Sequence, residues 1–179
     1  MIWLVRHGEA AAGWGEADDP GLSALGHKQA DAAADILSSQ SIVKIICSPM
    51  TRCQETARPF STRAELDVRT EARVSEIPTP EGLSDRRAWL SGFMAGDWSE
   101  APALLVDWKS DLIQTLDGLE DNTVVFTHFI AINTIVGHLT GSAKVTNFRP
   151  GHCSITKLKT SPEGLSVAEL GSESATRVL

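Results

Sequence analysis

The sequence predicts an α/β fold, a three-layer α/β/α sandwich around a mainly parallel central sheet. Two observations predict it. Short apolar runs of strand length alternate with longer segments of helical periodicity, the pattern of strand–helix–strand units. The segments richest in reactive side chains follow directly on those strands, where open α/β sheets bind their ligands.

Each element has its own reason. Ile2–Arg6 is a short, largely apolar run and reads as a buried strand. Ser23 can cap a helix whose inward face would carry Leu25, Ala32, Ala33, Ile36 and Leu37. Residues 42–47 are rich in β-branched side chains and read as a second strand. Ser48 then reads as a helix N-cap with Pro49 at the first helical position, the helix running over 51–58 and stopping before Pro59. Residues 65–69 read as a third strand, and 84–95 and 101–116 as helices. The second of these helices places Leu105, Trp108, Leu112 and Leu116 on one side and ends at Gly118. Thr123–Thr127 is a fourth strand. Ile132, Ile135, Val136 and Leu139 follow at i, i+3, i+4 and i+7, with Gly141 as the stop. Residues 154–158 and 165–170 read as a closing pair of strands.

Composition narrows the function. The chain has 179 residues, 42% hydrophobic and 22% charged, enough to build one domain over 1–179 around a real core. A net charge of −7 argues against non-specific nucleic-acid binding and against docking on anionic lipid. The deficit is local: residues 61–122 hold 6 basic and 13 acidic side chains, whereas 123–179 hold 5 basic and 3 acidic. A small anionic ligand is therefore still compatible with the chain. Cys47, Cys53 and Cys153 form no CxxC pair, which suits free thiols in a reducing compartment. Cys47 and Cys53 read as small packing residues. The five apolar residues before Arg6 are too few for a signal segment, and His128, Asn133 and His138 interrupt the most apolar stretch. The expectation is a cytoplasmic protein with no membrane or nucleic-acid partner. Its oligomeric state is not legible.

Three segments concentrate the chemistry: Arg6-His7-Gly8 after the first strand, Ser48 to Arg52 after the second, and His128 after the fourth. Two of them open helices, whose free N–H groups favour an anion. Arg52 in the first turn of a helix opposes the helix dipole, and makes better sense with an anion between it and the helix end. Two arginines and two histidines at strand ends point to a phosphate pocket. His7-Gly8-Glu9 also fits the H-x-E of zinc deaminases, but the Pro-Cys-x-x-Cys partner and any H-E-x-x-H are missing.

The order of these motifs carries a resemblance. Leu4-Val5-Arg6-His7-Gly8-Glu9-Ala10, Leu22-Ser23-x-x-Gly26-x-x-Gln29-Ala30, Ser48-Pro49-Met50-x-Arg52-Cys53-x-Glu55-Thr56-Ala57 and Val124-Val125-Phe126-Thr127-His128 follow one another. Together they resemble the histidine phosphatase superfamily, the phosphoglycerate-mutase-like group of branch 1, in a small phosphatase-type member. The resemblance implies the phosphoglycerate-mutase-like fold and a metal-independent, cofactor-free phosphomonoester hydrolase that acts through a phosphohistidine. His7 would be the nucleophile, Arg6 and Arg52 would fork onto the phosphoryl oxygens, and His128 would donate to them. Glu76 stands where the family places its proton donor, although Thr79-Pro80-Glu81-Gly82 replaces the usual Gly-x-Trp-Glu-Gly, leaving Glu81 and Asp85 as alternatives.

Other positions depart from the family as well. Phe129 replaces a common glycine and would narrow the pocket or wall it, and Gly13 stands at a common phosphate-contacting asparagine. His152 is placed at the pocket rim, and Glu9 has a supporting role. Trp89, Phe93, Met94 and Trp98 form either an apolar specificity rim or core. The substrate would be a small phosphorylated metabolite or a phosphoprotein, with inorganic phosphate as product. The alternatives are a phosphohistidine-protein phosphatase, a phosphoglycerate mutase, and a non-catalytic phosphate-binding regulatory module on the same fold.

Overall fold

The computed structural model describes residues 1–12 and 18–174. Its strands are β1 (Ile2–Arg6), β2 (Lys44–Cys47), β3 (Val68–Thr70), β4 (Thr123–Thr127), β5 (Ile155–Ser161) and β6 (Gly164–Glu169). Its α-helices are α1 (Ala24–Leu37), α2 (Thr51–Ala64), α3 (Arg86–Ala95), α4 (Ala103–Asp117) and α5 (Phe129–Thr140). One sheet runs in the order β3-β2-β4-β1-β5-β6. The first four strands are parallel, and β5 and β6 close the far edge antiparallel. The mainly parallel α/β sandwich is therefore present.

Strand alternation builds the layers. Ile2, Leu4, Ile46 and Val125 pack with Leu112 and Leu116 of α4 and Ile132 and Ile135 of α5. Trp3, Val5, Ile45, Val124 and Phe126 point the other way, onto Ala34 and Leu37 of α1 and Ala57 and Phe60 of α2. A period of two thus feeds two cores from one sheet, which is why β1 and β4 are buried along their whole length. A third cluster, under α3, holds Ile77, Leu90, Trp98, Leu105, Phe129 and Ile130. Trp89, Phe93 and Met94 pack against this third cluster, Phe93 meeting Trp98 edge-on at 5.4 Å. Among the described residues no helix is long and apolar enough to cross a membrane.

Four local expectations are corrected. The inward face of α1 is Gly26, Ala30, Ala33, Ala34 and Leu37, while Leu25 and Ile36 are 51% and 56% exposed and Ala32 also faces out. The helix lies so close to the loop after β1 that a Cβ on Gly26 would sit 2.1 Å from the Glu9 carbonyl oxygen, so small residues face inward. Helix α2 continues through Pro59 to Ala64. It forgoes the N–H of Pro59, but Ala57 and Phe60 on either side are buried against the sheet and hold the turn. Ser48 does not cap α2; Met50 is the N-cap and has no side-chain bond, while Asp19 accepts from the Thr51 N–H at 3.0 Å. The third strand begins only at Val68, because Glu65 ends α2 in the left-handed conformation (φ 55°).

Candidate active site

The parallel strands present their carboxyl ends along one edge, and every motif of the sequence reaches it there. Arg6 ends β1 and His7 follows it. Ser48 follows β2, Arg52 lies in the first turn of α2, and His128 is the N-cap of α5 directly after β4. Arg6, His7, Arg52 and His128 are 3%, 8%, 6% and 0% exposed, so the cluster is buried.

Hydrogen bonds fix the protons on both histidines. Nδ1 of His7 lies 2.7 Å from the Gly8 carbonyl oxygen, which can only accept, so Nδ1 carries the proton. Nε2 of His7 is left with a lone pair, and Arg52 Nε–H donates to it at 3.3 Å. Arg52 Nη2 also lies 3.2 Å from Nδ1 of His128; an arginine can only donate, so that nitrogen is bare and Nε2 carries the proton. His128 Nε2–H then donates to Ser48 Oγ at 2.9 Å, and Ser48 reaches Ser75 Oγ at 3.4 Å. The two rings meet edge-on, 5.2 Å between centroids. Burial first, then the neighbouring His128 ring and the Arg52 and Arg6 charges, push His7 well below its ordinary pKa. Burial, then Arg52 and Arg6, does the same to His128. Both imidazoles are neutral at pH 7.

The neighbouring backbone is held in register by the other motif residues. Thr56 accepts from the Gly8 N–H at 3.0 Å and donates to the Arg52 carbonyl at 2.6 Å, tying the loop after β1 to α2. Gln29 accepts from the Glu9 N–H at 2.8 Å, and Ser23 donates to the Glu9 carboxylate at 2.7 Å. Glu9 is therefore turned away from the pocket. A Cβ on Gly8 would come within 2.7 Å of the Gly26 carbonyl, which explains the glycine after the histidine.

Glu76 follows a one-turn 3₁₀ helix, Ala72–Val74. One carboxyl oxygen accepts from Ile77 N–H at 3.0 Å, and the other from Ile130 N–H, in the first turn of α5, at 3.4 Å. Burial raises its pKa against the opposing pull of those amides and of Arg52 and Arg6. Arg6 donates to the Pro150 carbonyl at 2.8 Å and to His152 Nε2 at 3.0 Å, and the Phe129 ring backs it at 5.2 Å. Burial lowers the Arg6 pKa to about 10, so it keeps its charge. Phe129 itself is 1% exposed and belongs to the cluster under α3. Gly13 lies outside the described residues. Among the described residues no group of three or more His, Cys, Asp or Glu is placed to hold a metal ion.

Sequence reasoning missed several neighbours. Cys53, read as packing alone, also lies with its sulfur 3.4 Å from Nε2 of His128; burial raises its pKa, so the thiol is neutral. Asp19 comes within 3.8 Å of Arg52 Nη1. Thr56 was legible as the residue one turn beyond Arg52. Ser48 was not, because its contact follows from the pairing of β2 with β4, Cys47 beside Phe126, which brings the next residues of both strands together.

The chain is similar to known proteins over most of its length. The model of the histidine phosphatase superfamily (branch 1) matches residues 2–173. An uncharacterized protein of Mycobacterium tuberculosis is 29% identical, over 88% of this chain and 87% of its own length. A probable phosphoglycerate mutase GpmB of Yersinia enterocolitica is 37% identical, over 58% of this chain and 56% of its own length. Among solved structures, the α-ribazole phosphatase of Shigella flexneri superposes with a TM-score of 0.77 at 18% identity, covering 98% of this chain and 99% of that one. A mycobacterial glucosyl-3-phosphoglycerate phosphatase does so with a TM-score of 0.75 at 22% identity, covering 97% and 99%.

Proposed function

The chain belongs to the histidine phosphatase superfamily, branch 1; from that premise we propose that it is a metal-independent phosphomonoester hydrolase working through phosphorylated His7. The observation that carries the reading is the 2.7 Å approach of His7 Nδ1 to the Gly8 carbonyl oxygen, which calls for a proton on Nδ1 and leaves the Nε2 lone pair to face Arg52 beside His128.

The chemistry follows in two steps. Nε2 of His7 forms a bond to phosphorus as the ester P–O bond breaks, and the protonated Glu76 carboxyl gives its proton to the departing alkoxide. Arg6 and Arg52 offer charged donors to the non-bridging oxygens, and His128 lies beside them to stabilise the charge that spreads there. The Glu76 carboxylate then takes a proton from water as that water attacks phosphorus. The P–N bond breaks, inorganic phosphate leaves, and Glu76 is protonated again.

The names of the similar folds speak of α-ribazole and of glucosyl-3-phosphoglycerate, which supports a small phosphorylated metabolite as substrate. The similarity to proteins called probable phosphoglycerate mutase favours a second reading, return of the phosphoryl group to a phosphoglycerate. Turnover of p-nitrophenyl phosphate separates these ideas from simple binding. Wild type is expected to release phosphate, and His7→Ala to lose about 10³-fold or more in kcat. Equal rates for the two proteins would remove His7 from the mechanism. Isomerisation of phosphoglycerate without phosphate release would replace hydrolysis by transfer.

A further inference from the structure

Arg6 is held differently from two arginines on the surface. Arg63 is paired with Asp31 and Asp35, and Arg73 with Glu71, so carboxylates offset their charges. Arg6 is 3% exposed, and among the described residues its guanidinium makes no ion pair within 4.0 Å. Its hydrogen-bond acceptors are the Pro150 carbonyl at 2.8 Å and the Nε2 lone pair of His152 at 3.0 Å.

The segment that brings them is bonded to the backbone it serves. Arg6 N–H donates to the Ser154 carbonyl at 3.2 Å, and Cys153 N–H to the Arg6 carbonyl at 3.0 Å. Cys153 takes a left-handed backbone (φ 55°), and Gly151 N–H bonds the Ser172 carbonyl at 2.8 Å, so the turn carrying His152 is fixed on both sides. The His152 ring stands 6.0 Å from that of His7.

We propose that His152 is a positioning residue for Arg6: its imidazole and the Pro150 carbonyl aim the guanidinium fork without adding a counter-charge of their own, so that it can attract a phosphoryl dianion. A carboxylate in the same place would orient Arg6 equally well, but would offset the charge that attracts the ligand. The ring has to stay uncharged for this. Burial and the Arg6 charge push its pKa down to about 4. The inference rests on the reading of Arg6 as a phosphate-binding residue.

Two variants of the full-length protein test it, with inorganic phosphate binding by calorimetry and p-nitrophenyl phosphate kinetics as readouts. His152→Ala removes the acceptor. His152→Gln restores one, because its amide oxygen reaches about as far from the backbone as Nε2. His152→Ala is expected to weaken phosphate binding and raise KM by about 10-fold, with kcat within about threefold. His152→Gln is expected to stay within about threefold of wild type in both. Unchanged phosphate affinity in His152→Ala overturns the proposal, and so does a His152→Gln as weak as His152→Ala with the same melting temperature as wild type. A wild type that binds phosphate without hydrolysing esters sinks the hydrolase reading while this test still decides on His152. A wild type that does not bind phosphate overturns both.

Discussion

At the scale of single residues, Glu76 shows how the site sets a proton inventory. Both oxygens accept backbone N–H bonds, which by themselves would favour the carboxylate, yet burial dominates and raises its pKa. A raised pKa suits the proton-giving role proposed for the first step more than the proton-taking role of the second. Replacing it with glutamine should therefore depend on the leaving group. For Glu76→Gln, kcat/KM is expected to fall about 10²-fold or more with an alkyl phosphate, and clearly less with p-nitrophenyl phosphate, whose phenolate leaves without help. An equal loss on both esters would assign the proton transfer elsewhere. The sequence made Arg6, His7, Arg52 and His128 legible as a group, because each follows a strand and the ends of parallel strands converge. It gave no access to Ser48 as the partner of His128, a contact that depends on sheet register.

At the scale of elements, the close approach of α1 to the loop after β1 is tightly constrained. The Glu9 carbonyl stands where a Gly26 side chain would begin, and both contacting atoms belong to backbone, so neither can swing aside. Gly26→Ala is expected to destabilise the fold by about 1–3 kcal/mol, read as a lower urea midpoint, and to slow turnover because the same loop carries His7. A midpoint at or above that of wild type would mean that the helix moves away freely. This approach also explains why the inward face of α1 was misread. Hydrophobic periodicity favours the largest apolar residues, Leu25 and Ile36, whereas a close contact favours alanine and glycine. Helix α4 has no such contact, and there Leu105, Leu112 and Leu116 are buried as their spacing predicts. The continuation of α2 past Pro59 has a similar cause: long-range packing of Phe60 outweighs a local stop signal.

At the scale of the whole molecule, the buried imidazoles link the pocket to global stability. Unfolded, His7 and His128 titrate near their ordinary values of about 6.5; folded, both lie well below. As pH falls through that ordinary value the unfolded chain takes up protons that the native site refuses, and stability is lost. His152 acts in the same direction, down to about 4. Glu76 acts oppositely, since its raised pKa means that the native state takes its proton first. Three groups outweigh one. Calorimetry in phosphate-free buffer is expected to give a Tm lower at pH 5 than at pH 7.5, by roughly 5–10 °C. A flat profile would mean that the histidines are hydrated in the native state. The alternation of strands and helices made the layers legible; the antiparallel seating of β5 beside β1, which carries His152 to Arg6, required the three-dimensional topology.

The position of Arg52 between the two histidines also sets an entry requirement. One guanidinium donates to both bare ring nitrogens. An incoming anion has to replace those contacts before it gains any of its own. Chloride or acetate, with a single charge and few acceptor directions, recovers little of what it displaces. A tetrahedral dianion offers several oxygens at once and recovers more than it displaces. Competition for the Arg52 donors is thus expected to discriminate among anions, with chloride and acetate inhibiting turnover far less than phosphate at equal concentration.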